Sequence, residues 1–168
     1  MPDLQDALRD HRQATGDFLA AARRVPSGQW TQPRAPGKWS PGQVVEHLAL
    51  AYEVNRAVLH GTAPGPAPPR FVRPLIRRLL LKPVLQRGRF IPGSKSPRVF
   101  RPSPTPAAPP ILLGRLQTAV DGFETDAAAA GVSSIDHPFF GRLPLTDFVR
   151  LQEIHARHHR GQLPPTAG

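Results

Sequence analysis

The chain has 168 residues, no cysteine and a formal net charge of +10. That length suits a single domain, residues 1–168, with a core of its own. The missing cysteines exclude disulfides, thiolate metal sites and a cysteine nucleophile, and fit a reducing cytoplasm. No apolar run reaches the roughly 18 residues of a membrane span. The start, Met1-Pro2-Asp3-Leu4-Gln5-Asp6, lacks the apolar core of a signal peptide. A cytoplasmic protein without a membrane partner is the expectation.

Helical spacing of Leu4, Leu8, His11, Thr15, Phe18, Leu19 and Ala22 predicts a first helix over about 3–24. Asp3 and Asp6 near its start and Arg23 and Arg24 near its end suit the helix dipole. Residues 25–40, with Pro26, Gly28, Pro33, Pro36 and Gly37, read as a loop. A second helix has the clearest start. Ser40 is the N-cap, Pro41 fits the first helical position, and Gln43 completes a capping box. It runs to about Leu59 and stops at Gly61, with Val44, His47, Leu48, Ala51, Val54 and Val58 facing inward.

Residues 62–110 form an irregular, basic and proline-rich segment. Pro64, Pro66, Pro68 and Pro69 mark a linker. Residues 70–86 read as a helix interrupted at Pro74 and Pro83, with Leu75, Leu79, Leu80 and Leu81 inside. Residues 87–110 carry seven more prolines and read as an extended loop. Residues 54–120 hold twelve Lys/Arg and no acid, so the charge excess sits in this middle part. Such a patch could meet an anionic partner, or it reflects an arginine-rich composition. A further helix spans about 111–130, His137-Pro138-Phe139-Phe140-Gly141 forms a turn, and the last helix covers about 146–163. No strand-like alternation of useful length appears. The fold expected is all-α: an up-down four-helix bundle with the basic insertion between its second and last helices.

Of seven histidines, His155 and His159 stand four apart, one turn along a helix face, following the inward line of Phe148 and Leu151. Two imidazoles so placed can address one metal ion at about 2.1 Å. His47, on the inward face of the second helix, could add a third ligand. Three histidines leave a coordination position open, as in a catalytic rather than a sealed site. An i,i+4 pair alone is a weak signal, since a core histidine is usually just hydrogen-bonded. His158 could replace His159. His11 and His60 read as ordinary helix residues, and His137 as an outer partner or a turn residue. Glu46 turns about 100° away from His47 and reads as surface. Gln162 and Arg160 could orient groups, or pack and be solvated respectively. Trp30 and Trp39 read as packing anchors.

Two stretches change the weight of these signals. Gly37-Lys38-Trp39-Ser40-Pro41-Gly42-Gln43-Val44-Val45-Glu46-His47-Leu48 resembles the start of the second helix in the DinB-like metal-binding superfamily of damage-inducible helical bundles. His137-Pro138-Phe139-Phe140-Gly141 and His155…His159-Arg160-Gly161-Gln162-Leu163 resemble that family's ending. The resemblance implies a four-helix bundle, often homodimeric, in which His47, His155 and His159 bind nickel, zinc or iron. It also implies relatives that use low-molecular-weight thiols: S-transferases working with bacillithiol or mycothiol, and maleylpyruvate isomerases. The basic middle segment has no counterpart in the motifs.

The expected function is therefore metal-dependent chemistry of the thiol S-transferase or hydrolase type. There a metal would lower the pKa of a bound water or thiol. Two alternatives stand beside it. One is a non-enzymatic stress-response protein using the metal as structure. The other is weak, sequence-independent nucleic-acid binding through residues 70–101, which hold ten Lys/Arg but only Phe71, Phe90 and Phe100 as aromatics.

Overall fold

The computed structural model describes residues 3–63, 67–90 and 96–165. Helix α1 spans Leu4–Arg23 and begins where expected, with the Asp3 carboxylate accepting from the Asp6 backbone N–H. Its apolar stripe is buried from Ala7 to Ala22, His11 and Thr15 included, while Leu4 is only partly covered. Helix α2, Pro41–Leu59, carries both halves of the capping box. The Ser40 N–H donates to Gln43 Oε1 at 3.0 Å, and the Gln43 N–H to Ser40 Oγ at 3.4 Å. Val54 is only partly buried on this helix, and the rest of the expected inward face is buried.

The loop between them is pinned by Trp30, which is buried and donates its indole N–H to the Ala107 carbonyl at 2.9 Å. Gly42 makes that contact possible. A Cβ there would stand 2.7 Å from Trp30 Nε1 and 2.9 Å from Pro106.

The segment 70–87 departs from expectation. It is one helical run rather than a broken helix: a 3-10 turn (Arg70–Val72), α3 (Arg73–Ile76), a π-turn (Arg77–Leu81) and α4 (Lys82–Arg87). Pro74 and Pro83 sit in the first turns of α3 and α4, where a missing N–H is tolerated. Of the four leucines expected inside, only Leu81 is buried, and Leu75, Leu79 and Leu80 are exposed. The reason is angular. Three consecutive residues of a helical turn point in widely different directions and cannot share one face. Leu81 and Val84 take the inward positions.

Residues 96–108 run irregularly except for a 3-10 turn at Arg98–Phe100 that lies against α2. Helix α5, Pro109–Ala129, opens on two prolines, and α6 spans Leu145–Arg160. Between them lies a feature the sequence reading missed. The expected turn is the tip of an antiparallel hairpin, β1 (Ser134–His137) with β2 (Gly141–Pro144), pairing Ile135 with Leu143. Strands of four residues are too short for an alternating pattern to register. Gly141, at φ 66°, closes the turn.

The protein is mainly helical, as expected. The four long helices share one core: α1 packs on α6 and α5, and α2 on α5. Phe18, Tyr52, Phe123 and Phe148 are its largest fully buried side chains. Polar groups inside it are paired. His11 Nδ1 lies 2.9 Å from Glu124 Oε1 and His11 Nε2 2.9 Å from the Tyr52 hydroxyl. Asn55 Nδ2 donates to Gln152 Oε1 at 2.8 Å, tying α2 to α6. Burial raises the Tyr52 phenol well above its usual range, so it stays a neutral donor. Among the described residues no helix is long and apolar enough to cross a membrane.

Candidate metal centre

His47 is on the second turn of α2, and His155 and His159 are on successive turns of α6. The fold brings all three together. His155 Nε2 lies 3.1 Å from His47 Nε2 and 3.0 Å from His159 Nε2. Two nitrogens held about 2.1 Å from one ion subtend about 3.0 Å at a right angle and about 3.4 Å at the tetrahedral angle. The observed spacing fits that range, and the three residues could hold one metal ion.

The far side of two rings sets their tautomers. His47 Nδ1 lies 2.6 Å from the Phe100 carbonyl oxygen, which can only accept, so the ring's proton sits on Nδ1. His159 Nδ1 lies 2.9 Å from Gln162 Oε1, and the same amide's nitrogen donates to His158 Nε2 at 2.9 Å. With the amide oxygen on His159, that ring's proton again sits on Nδ1. Both Nε2 atoms therefore present bare lone pairs to His155 Nε2. With His47 and His159 neutral, at most one N–H serves three converging nitrogens. Such a donor set suits a cation.

Electrostatics reinforce the neutral state. Burial is the largest cause holding His47 below its usual pKa, with the Phe100 hydrogen bond opposing and His158 assisting. His155 and His159 lie well below, first through burial and then through their neighbouring histidines. His155 keeps some exposed surface, but its titrating ring is enclosed deeply enough that burial still dominates. Arg34 lies close enough to depress His158 and His159 further. Neutral imidazole is the form that ligates a metal.

A family model described as the DinB superfamily matches residues 10–163. The chain belongs to that superfamily. The match spans all three clustered histidines. No curated protein and no solved structure matches the chain.

The other singled-out residues of this DinB-superfamily chain fall around the histidine cluster or away from it. Trp39 packs its ring 4.7 Å from that of His47 and 6.3 Å from that of His159. Phe90 packs 5.3 Å from the ring of His155 and 5.5 Å from that of His158. His158 stays outside the cluster and is reached through Gln162. His137 does not join it; it stacks on Phe140 at 4.6 Å in the hairpin. His60 is exposed and meets Asp126 at 3.0 Å. Glu46 faces outward as expected, accepting from the Ser103 N–H at 3.0 Å. Arg160 is exposed. Sequence reasoning missed the Phe100 carbonyl, Phe90 and Arg34. A backbone acceptor carries no residue signature, and the two side chains lie in segments without periodicity.

Proposed function

We propose that this DinB-superfamily protein binds one divalent transition metal (nickel, zinc or iron) through His47, His155 and His159, as a metal-dependent enzyme of the thiol S-transferase or hydrolase type. The observation that carries the reading is the convergence of three Nε2 atoms, two with lone pairs committed inward by Phe100 and Gln162. A metal bound there supplies Lewis-acid activation of a water or thiol near neutral pH.

The chain's own residues account for the rest. Gln162 and the Phe100 carbonyl orient two ligands before any ion arrives, so little ordering is needed on binding. Trp39 and Phe90 wall the cluster with apolar surface and limit water around it. His155 alone of the three keeps some exposed surface. Arg34 contributes a positive field at His158 and His159, which favours an anionic reactant such as a thiolate. The cluster contains no carboxylate, so a proton from the substrate would leave through water or through His158.

Elemental analysis of the purified protein tests the site, with His155→Ala/His159→Ala alongside. About one metal ion per chain is expected, and none in the variant. A panel of low-molecular-weight thiols and electrophiles then tests the chemistry. Turnover should vanish in chelator and return with one of the three metals. A metal-free chain that takes up none of the three ions would reject the reading. A fully loaded protein inert across the panel would reject its enzymatic half.

A further inference from the structure

The run 70–87 places apolar side chains in water. Phe71 is 83% exposed, Leu75 57%, Leu79 59% and Leu80 54%. Phe71, Leu75 and Leu79 recur every four residues, an exposed apolar series along a run that is tightened at 70–72 and widened at 77–81. Arg78 and Lys82 flank this series in the chain and are exposed. An apolar series of this kind on a water-facing helix marks a contact surface.

The charge around it has one sign. Residues 54–120 contain no acid. A cleft of about 860 Å³ runs between this segment and the hairpin, lined by Arg70, Arg73, Arg77, Arg78 and Lys82 on one wall. Arg142 adds a sixth cation, against only Asp136 and Asp147. Asp136 lies 3.7 Å from Arg73 and 3.9 Å from Arg70, loose contacts that leave most of the positive charge uncompensated. Leu81, Leu85 and Phe140 give the cleft an apolar floor.

We propose that residues 70–87 form an interfacial helical segment that docks the protein on an anionic lipid bilayer, Phe71, Leu75 and Leu79 entering the acyl boundary and the flanking cations meeting headgroup phosphates. The inference is independent of the metal reading. It also departs from the sequence-based expectation of no membrane partner, which rested on the absence of a spanning segment. A helix that lies in the interface needs no such span. Charge complementarity selects the occupant. A second copy placed by a two-fold axis would set Arg78 and Lys82 against themselves. A nucleic acid would satisfy the cations through phosphate but offer nothing to the exposed leucines and Phe71. A bilayer with anionic headgroups offers both partners in the right order, charge outside and hydrocarbon beneath.

Flotation of the full chain with vesicles tests this, comparing phosphatidylglycerol-containing vesicles with pure phosphatidylcholine. Binding is expected to the anionic vesicles only. Arg78→Gln/Lys82→Gln should weaken it by roughly fivefold per charge removed. Phe71→Ser/Leu75→Ser/Leu79→Ser should abolish flotation, and these positions are exposed enough for the helical circular dichroism to stay unchanged. Emission of Phe71→Trp, after subtracting the parent spectrum, should shift to the blue on the anionic vesicles. No flotation at low salt would overturn the proposal. So would flotation that survives the triple serine change with Phe71→Trp unshifted, since that is generic polyanion binding, which a DNA competitor would then abolish. A dimer in light scattering that the serine changes dissociate, without vesicle binding, would assign the face to a second copy.

Discussion

Gln162, in the turn that follows α6, places its Oε1 2.9 Å from His159 Nδ1. This contact decides which nitrogen of His159 faces its partners. A carbonyl oxygen forces the proton onto Nδ1 and turns the Nε2 lone pair inward. Gln162→Leu removes the acceptor while keeping the volume near constant. The ring is then free to place its proton on Nε2, against the other two histidines. Metal affinity should fall by about 10–100-fold, the usual cost of losing such an outer partner. Competition against a chromophoric chelator measures it. Unchanged affinity would mean that Gln162 only packs.

His137 leads to a pH prediction. It is buried in the hairpin, stacked on Phe140, with its Nδ1 accepting from the Phe139 N–H at 3.1 Å. Burial, ahead of Arg73 and against the pull of Asp136, lowers its pKa to about 4. The unfolded chain holds this imidazole near its ordinary value of about 6.5. Between those two values the unfolded state binds the extra proton, so stability falls as pH drops. From pH 7 to pH 5 the loss from this residue is about 2 kcal/mol. Urea denaturation in chelator at both pH values measures the slope. His137→Asn keeps a short acceptor for the turn and should flatten it. The buried histidines of the metal cluster act in the same direction, so a residual slope remains.

How much could be read in advance follows from how each feature is encoded. The start of α2 was legible because Ser40, Pro41 and Gln43 act locally, each through its own backbone neighbourhood. The meeting of His47 with His155 and His159 was legible because helical period and the inward faces of two helices fixed it. The run 70–87 was misjudged because Leu79, Leu80 and Leu81 are adjacent, and hydrophobicity alone does not say which of them faces the bundle. The Phe100 carbonyl was invisible, since any residue there would present the same atom. Its segment is held against α2 by tertiary ties, Ser103 to Gln43 and Glu46 and, across 77 positions of sequence, Trp30 to Ala107.

That tie gives a third prediction. Gly42→Ala puts a methyl group 2.7 Å from Trp30 Nε1 and 2.9 Å from Pro106, so the indole and the following loop must move. Overpacking of this kind costs about 1–3 kcal/mol. The same movement displaces the segment that carries the Phe100 carbonyl to His47. Chemical denaturation and metal titration should therefore both report the change. A stability loss with metal affinity intact would separate the loop's packing from its role at His47.

Asn55 and Gln152 join α2 to α6 inside the bundle at 2.8 Å, and both are buried. Replacing one partner strands the other, whereas replacing both removes the need for a bond. Asn55→Leu alone should cost about 1–3 kcal/mol, because the Gln152 amide keeps its desolvation without a partner. Gln152→Leu alone should cost a similar amount for the mirrored reason. The double variant should recover much of the combined loss, since two apolar side chains of similar size can pack where the pair stood. Denaturation of the four proteins closes the cycle. Additive losses would show that the two residues act separately. A recovered double variant with weakened metal binding would show that this bond also sets the register between α2 and α6, on which the spacing of His47 and His155 depends.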